Sequence, residues 1–176
     1  MSEASKNLDW CIKKASKETE ECKKLGKRIK HRGLLKIDPN IDEAKKHIKK
    51  AEHNFQGITK FKEIGFSDWS ITAGFYCIYH CFLAIALKFG YESRNQSCTI
   101  SLIESLKEEG KIDIDVKFID LLKYEDIEER HENTVIEERE NYTYGVNVSV
   151  KDEKEIKDLI KNCKEIIDIT KRIVFE

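Results

Sequence analysis

The chain has 176 residues, a length for one domain with a short extension at most. With 32 Lys and Arg against 33 Asp and Glu, its net charge is -1, which excludes a globally basic nucleic-acid binder and leaves room only for a local basic patch. One proline and eight glycines argue against an all-β sandwich or a proline-rich disordered chain, while the excess of Lys, Glu, Ile and Leu favours helices.

The first predicted element is a charged amphipathic helix from about Asn7 to Lys27. In it Leu8, Cys11, Ile12, Ala15, Thr19, Cys22 and Leu25 recur at three- and four-residue steps. Gly33 and Asp38-Pro39-Asn40 mark a connection, with Asn40 placed to cap the next helix. That helix runs from about Ile41 to Ile64 on an inner stripe of Ala44, Ile48, Ala51, Phe55, Ile58 and Phe61. Ser67 or Asp68 then caps a central helix from about Asp68 to Phe89, closed by Gly90.

From Trp69 to Leu87, 19 residues pass without an Asp, Glu, Lys or Arg. The length just suffices to span a bilayer. However, Ser70, Thr72, Gly74, Tyr76, Tyr79 and His80 lower its hydropathy, and both flanks mix acids and bases. It reads as a buried central helix, and no membrane partner is expected.

A short helix follows from Ser97 to Glu109, with Ile100, Ile103 and Leu106 inside and Gly110 as its stop. Asp115 to Tyr144 opens in helical register at Phe118, Leu121 and Leu122, turns polar from Glu128 to Asn133, and resumes at Val135, Ile136 and Arg139. Gly145 to Val150 reads as loop or brief extended chain. The clearest helix spans Lys151 to Ile173, with Ile156, Leu159, Ile160, Cys163, Ile166, Ile167 and Thr170 on one face. The expected fold is all-α, an antiparallel up-and-down helical bundle over residues 41–176. Residues 1–40 add an N-terminal helix and a basic connection.

None of the six cysteines forms a Cys-x-x-Cys pair, so no structural zinc site is expected. The N-terminus carries no apolar leader, and the expectation is a cytoplasmic protein with reduced thiols and no disulfide framework. Cys77, Cys81 and Cys163 read as small core residues. Phosphate-loop, dinucleotide, nucleophile-elbow and His-Glu-x-x-His motifs are absent, and no cofactor is expected. Glu128, Glu129, Glu132, Glu137, Glu138 and Glu140 read as a solvated helix face in preference to a metal cluster, and His80 as a hydrogen-bonded core histidine. The run Lys23, Lys24, Lys27, Arg28, Lys30, His31, Arg32 and Lys36 is either a phosphate-contacting patch or a solubilising helix end.

Several segments in order resemble one family. Asp68-Trp69-Ser70-Ile71 and then Gly74-Phe75-Tyr76 through Ala86-Leu87 resemble the aromatic pair, small residues and Ala-Leu run of HEPN domains. Lys88 to Ile100 is similar to the helix end and loop that follow. Ala44 to Phe55, with Lys45, His47 and Lys50, resembles the opening helix, and Arg139-Glu140-Asn141-Tyr142-Thr143-Tyr144 resembles the Arg motif that precedes the last helix. The likeness covers about Ile41 to Val174. It implies a helical bundle that commonly dimerises, and relatives that include RNA-cleaving toxins and defence nucleases. In those the motif Arg stabilises phosphorane charge, a His four to six residues later moves the proton, and no metal is needed.

The chain departs from that pattern where the histidine belongs, because Tyr144 stands there and an ordinary phenol titrates near about 10. Three readings follow from the resemblance. The first is a module of a defence or toxin–antitoxin type system that binds RNA, a nucleotide or a protein partner. Its cleft would use Arg139, Tyr142 and Tyr144, with Lys45, Arg94 and Asn95 as phosphate contacts. The second is a metal-independent endoribonuclease in which Arg139 acts with Tyr144, His131 or His80. The third is a structural homodimer partnering a nucleotidyltransferase, with Tyr142 or Tyr144 open to modification. Apart from a cleft, Arg139 has an ordinary role available in a salt bridge to Glu165 or Glu138.

Overall fold

The computed structural model describes residues 2–123, 135–150 and 153–176. Among these the chain forms α1 (Glu3–Lys24), β1 (Leu34–Lys36), α2 (Ile41–Glu63), α3 (Ser67–Lys88), β2 (Tyr91–Ser93), α4 (Gln96–Glu108), α5 (Val116–Asp120), α6 (Val135–Tyr144) and α7 (Glu153–Phe175). The all-α bundle expected from periodicity is the observed architecture. The helix stops are also where glycine predicted them: Gly90 and Gly110 have φ of 79° and 67°, a region costly for any residue with a Cβ. Asn40 caps α2 as expected, its side chain accepting from the Glu43 N–H at 3.0 Å.

α3 is the axis. α2, α4, α6 and α7 all pack on it, and its Ile71, Phe75, Cys77, Ile78, Cys81, Phe82, Ile85 and Ala86 are buried. Among the described residues it is the one helix long and apolar enough to cross a membrane, and 67% of that apolar window is buried inside the bundle. Its buried Ser70 Oγ donates to the Ile58 carbonyl of α2 at 2.7 Å. Cys77, Cys81 and Cys163 are buried free thiols, in line with their reading as core.

Four details depart from the sequence reading. Ser67 and Asp68 do not cap α3, whose N-cap is Phe66 without a side-chain bond; Ser67 Oγ instead accepts from the Val150 N–H at 2.8 Å. Leu34–Lys36 and Tyr91–Ser93 pair as a small antiparallel ribbon where only loop was expected. Glu137, assigned to a solvated face, is buried, while Glu128, Glu129, Glu132 and His131 lie outside the described residues. The expectation of a chain without a disulfide is corrected at one pair, since Cys11 on α1 is bonded to Cys98 on α4 across 87 residues. Such a cross-link is worth about 2–4 kcal/mol through its restriction of the unfolded chain. It holds α1 on a core that also contains Leu34.

The backbone of α3 lies close against α7 at Gly74. A Cβ there would meet Leu159 Cδ2, Cδ1 and Cγ at 2.4, 2.6 and 2.6 Å. Leu159 is buried, so its branch point has nowhere to retreat. Gly74→Ala is therefore expected to lower unfolding free energy by about 1–3 kcal/mol, the usual cost of overpacking. Urea denaturation reads the effect, and a double mutant with Leu159→Ala should recover part of the loss.

Candidate functional site

Arg139 lies on α6 against the N-terminal half of α3. Its guanidinium carbon sits 4.5 Å from the Phe75 ring centroid, and Nη2 donates to Glu140 Oε1 at 3.2 Å. Only 14% of the side chain is exposed, and Nε is buried without a hydrogen-bond partner among the described residues. Glu165, one carboxylate anticipated for Arg139, is instead bonded to Lys117 at 2.7 Å. α6 is further held to α3 where the hydroxyls of Thr72 and Thr143 meet at 3.3 Å.

The tyrosines differ. Tyr142 is half-buried against the main core, and its phenol is pushed above the ordinary range by burial first and then by the Glu155 and Glu138 carboxylates. Tyr144 is 77% exposed. On a regular helix it stands five positions and about 140° around from Arg139, so the two side chains leave α6 in different directions. Tyr142 shares a small cavity of about 210 Å³ with Asp68, Trp69 and Val146.

The remaining predicted residues gather elsewhere. Arg94, at the end of β2, donates from Nε to Glu92 Oε1 at 2.7 Å and faces a cavity of about 380 Å³ with His47, Leu83 and Leu87. The Asn95 side chain caps α4, accepting from the Cys98 N–H at 2.9 Å. Lys45 is exposed on α2 and paired with Asp42 at 3.1 Å. Leu83 and Leu87 lie about 12–18 Å along α3 from Phe75 at 1.5 Å per residue. The structure therefore brings Arg139 and Tyr142 to one end of α3, and Arg94, Asn95 and Lys45 to the other.

A pair that sequence reading did not assemble lies near the second group. His47 Nδ1 on α2 and His80 Nδ1 on α3 are 2.8 Å apart, 33 residues apart in sequence. His80 is thus hydrogen-bonded, as expected of a core histidine, but only half-buried. Five positions from Phe75 on α3, it points about 140° away from the Arg139 side. Both imidazoles are biased toward the neutral form. Burial pushes His47 down, partly offset by Glu43; His80 is lowered to about 4 by burial first and then by His47 and Lys50.

No group of three or more His, Cys, Asp or Glu suited to a metal occurs among the described residues. Comparison with known families gives one match, in which the HEPN-domain model aligns with residues 44–173, well over half of the chain. The chain belongs to the HEPN-domain family. That family includes ribonucleases and defence-system modules. No curated protein matches the chain. Within this HEPN domain α3, α6 and nearly all of α2 and α7 are covered by the match, including Arg139, His47 and His80.

A titration follows from the histidine pair. His80 has a folded-state pKa below its unfolded value, so between about 6.5 and about 4 the unfolded chain binds more protons than the native one. Stability is then complete above about 6.5 and is lost as pH falls through that window. Urea midpoints measured across it should decline, and His80→Gln should flatten the decline relative to the parent.

Proposed function

We propose that this protein is an atypical HEPN module, a cytoplasmic homodimer of a defence or toxin–antitoxin type system, that docks a protein partner and does not cleave RNA. The observation that carries this reading is the setting of Arg139. Its guanidinium is already engaged by Phe75 and Glu140, and Glu138 and Glu155 lie close enough to push the Tyr142 phenol up. A phosphodiester approaching this end of α3 meets carboxylates and finds no imidazole beside the arginine among the described residues. Phosphate binding needs the opposite field.

What this end of the bundle does offer is apolar surface. Ile64, Phe66 and Trp69 around the α2–α3 turn, Tyr144 at the end of α6, and Val146 and Val148 after it are each more than half exposed. Trp69, Val146 and Val148 line one cavity, so these three are contiguous. A clustered apolar surface of this kind is the ordinary mark of a partner face. A second copy fits the outer side of α3, where Tyr76 is exposed and Tyr79, His80 and Leu83 are only partly covered.

Purified protein incubated with RNA in EDTA is expected to leave it intact, with Arg139→Ala indistinguishable from the parent, and to scatter light at twice the chain mass. Cleavage that disappears in Arg139→Ala would overturn the reading in favour of a metal-independent endoribonuclease.

The exposure of Tyr144 favours a second reading, in which the partner is a nucleotidyltransferase that modifies this tyrosine. Tyr144 is largely exposed, whereas Tyr142 is half-buried. Incubation with such an enzyme and ATP should then add one nucleotidyl group at Tyr144, read by peptide mass spectrometry. Modification at Tyr142 alone, or none, counts against it.

A further inference from the structure

The cavity between the start of α3 and the end of α6 has a chemistry more specific than an apolar partner face requires. Its volume is about 210 Å³, the liquid volume of about seven waters and room for one long side chain. Asp68 lines it, and one of that residue's carboxylate oxygens, Oδ1, is buried without a hydrogen-bond partner among the described residues. An unpaired carboxylate oxygen removed from water is costly, and a cationic donor is what satisfies it best. Beside it stands Trp69, half-exposed, whose ring offers the preferred face for a guanidinium or ammonium.

The surroundings point the same way. Glu155 and Glu138 make the potential at Tyr142 negative. Among the described residues no Lys or Arg lines the cavity, and two cations of the same end are engaged elsewhere, Arg139 on Phe75 and Glu140, and Lys62 with Glu153 at 3.5 Å. Val146 and Val148 at the rim are among the most exposed side chains of the chain and give apolar footing for residues flanking a buried cation.

We propose that this cavity receives one cationic side chain, preferentially arginine, from a segment of the partner protein, with its head on Asp68 and its plane on Trp69. The proposal rests on the reading of this face as a partner surface. Arginine suits it better than lysine because a planar fork both stacks on an indole and bonds a carboxylate through two donors. The segment is basic at one position and aliphatic beside it, complementary to the carboxylates and valines around the cavity.

The probe is arginine amide, titrated into the full chain and followed by the two indole N–H resonances. Trp10, on α1 beside Lys14, serves as internal control. The expected result is a saturable shift of the Trp69 signal at millimolar ligand, about the limit for so small a molecule, with Trp10 unmoved. Citrulline amide, neutral and nearly isosteric, should bind at least tenfold more weakly. Asp68→Asn should weaken arginine amide at least tenfold without changing the circular dichroism spectrum.

Equal response to the two amides, unchanged affinity in Asp68→Asn, or a shift at Trp10 alone would overturn the cation site. Failure of the partner-surface reading is separable, since Arg139-dependent RNA cleavage would sink that reading whatever the amides do, and loss of the arginine response without cleavage would sink only the cation site.

Discussion

A helix with no ionisable acid or base except His, Tyr and Cys between Trp69 and Leu87 has to be wrapped, and the rest of the bundle is arranged to wrap it. The wrapping is close because Gly74 has no side chain, which lets Leu159 of α7 rest on the α3 backbone while the Cys163 thiol donates to the Gly74 carbonyl at 3.6 Å. Buried hydroxyls on α3 are satisfied by the neighbouring helix backbone, as at Ser70. Apolar burial alone would permit α7 several registers on α3. The notch at Gly74, filled by one leucine, selects among them.

The same axis divides the surface chemistry. One flank carries Arg139 and Tyr142 on α6, and the other carries His47, Arg94 and the β1–β2 ribbon. The two are connected by packing: Phe75 under Arg139 lies parallel to Tyr79, whose hydroxyl is 3.4 Å from Thr99 Oγ1 in α4. That is a structural link and not a cleft, because the intervening side chains are the core itself.

Much of this fold was legible in the sequence because helix signals are local. Apolar spacing located α2, α3, α4 and α7 to within a few residues, and Gly90 and Gly110 marked two stops by a conformational need no other residue meets cheaply. What was not legible depends on distant pairing. Cys11 and Cys98 are separated by 87 residues and belong to no spacing motif. The ribbon strands are three residues each, too short for alternation to register. Asn95 carried a legible signal, an Asn immediately before a helix, and it caps α4. Which side of α3 each candidate would face was not readable, since that is fixed by packing and not by order along the chain. For the same reason the His47–His80 pair arises only from the crossing of α2 and α3.

The Arg motif, stripped of its histidine, still has a physical task. Three contacts tie the α6 end to the start of α3: the Arg139 guanidinium on Phe75, the Thr72–Thr143 hydroxyl pair, and the Val150 N–H on Ser67 Oγ. Between the second and third lies the segment that presents Val146 and Val148. A loop anchored at both ends loses less entropy when a partner orders it than a free one does, and that difference appears directly as affinity. Arginine suits the first anchor because its flat cation packs on a ring while its remaining donors reach a carboxylate, which a lysine at that position would do only as a point charge. Burial of the face by a partner would remove water from Glu140 and Arg139 together and strengthen their mutual attraction. On the proposed reading, Arg139 holds a docking loop in place, a role that needs no histidine beside it.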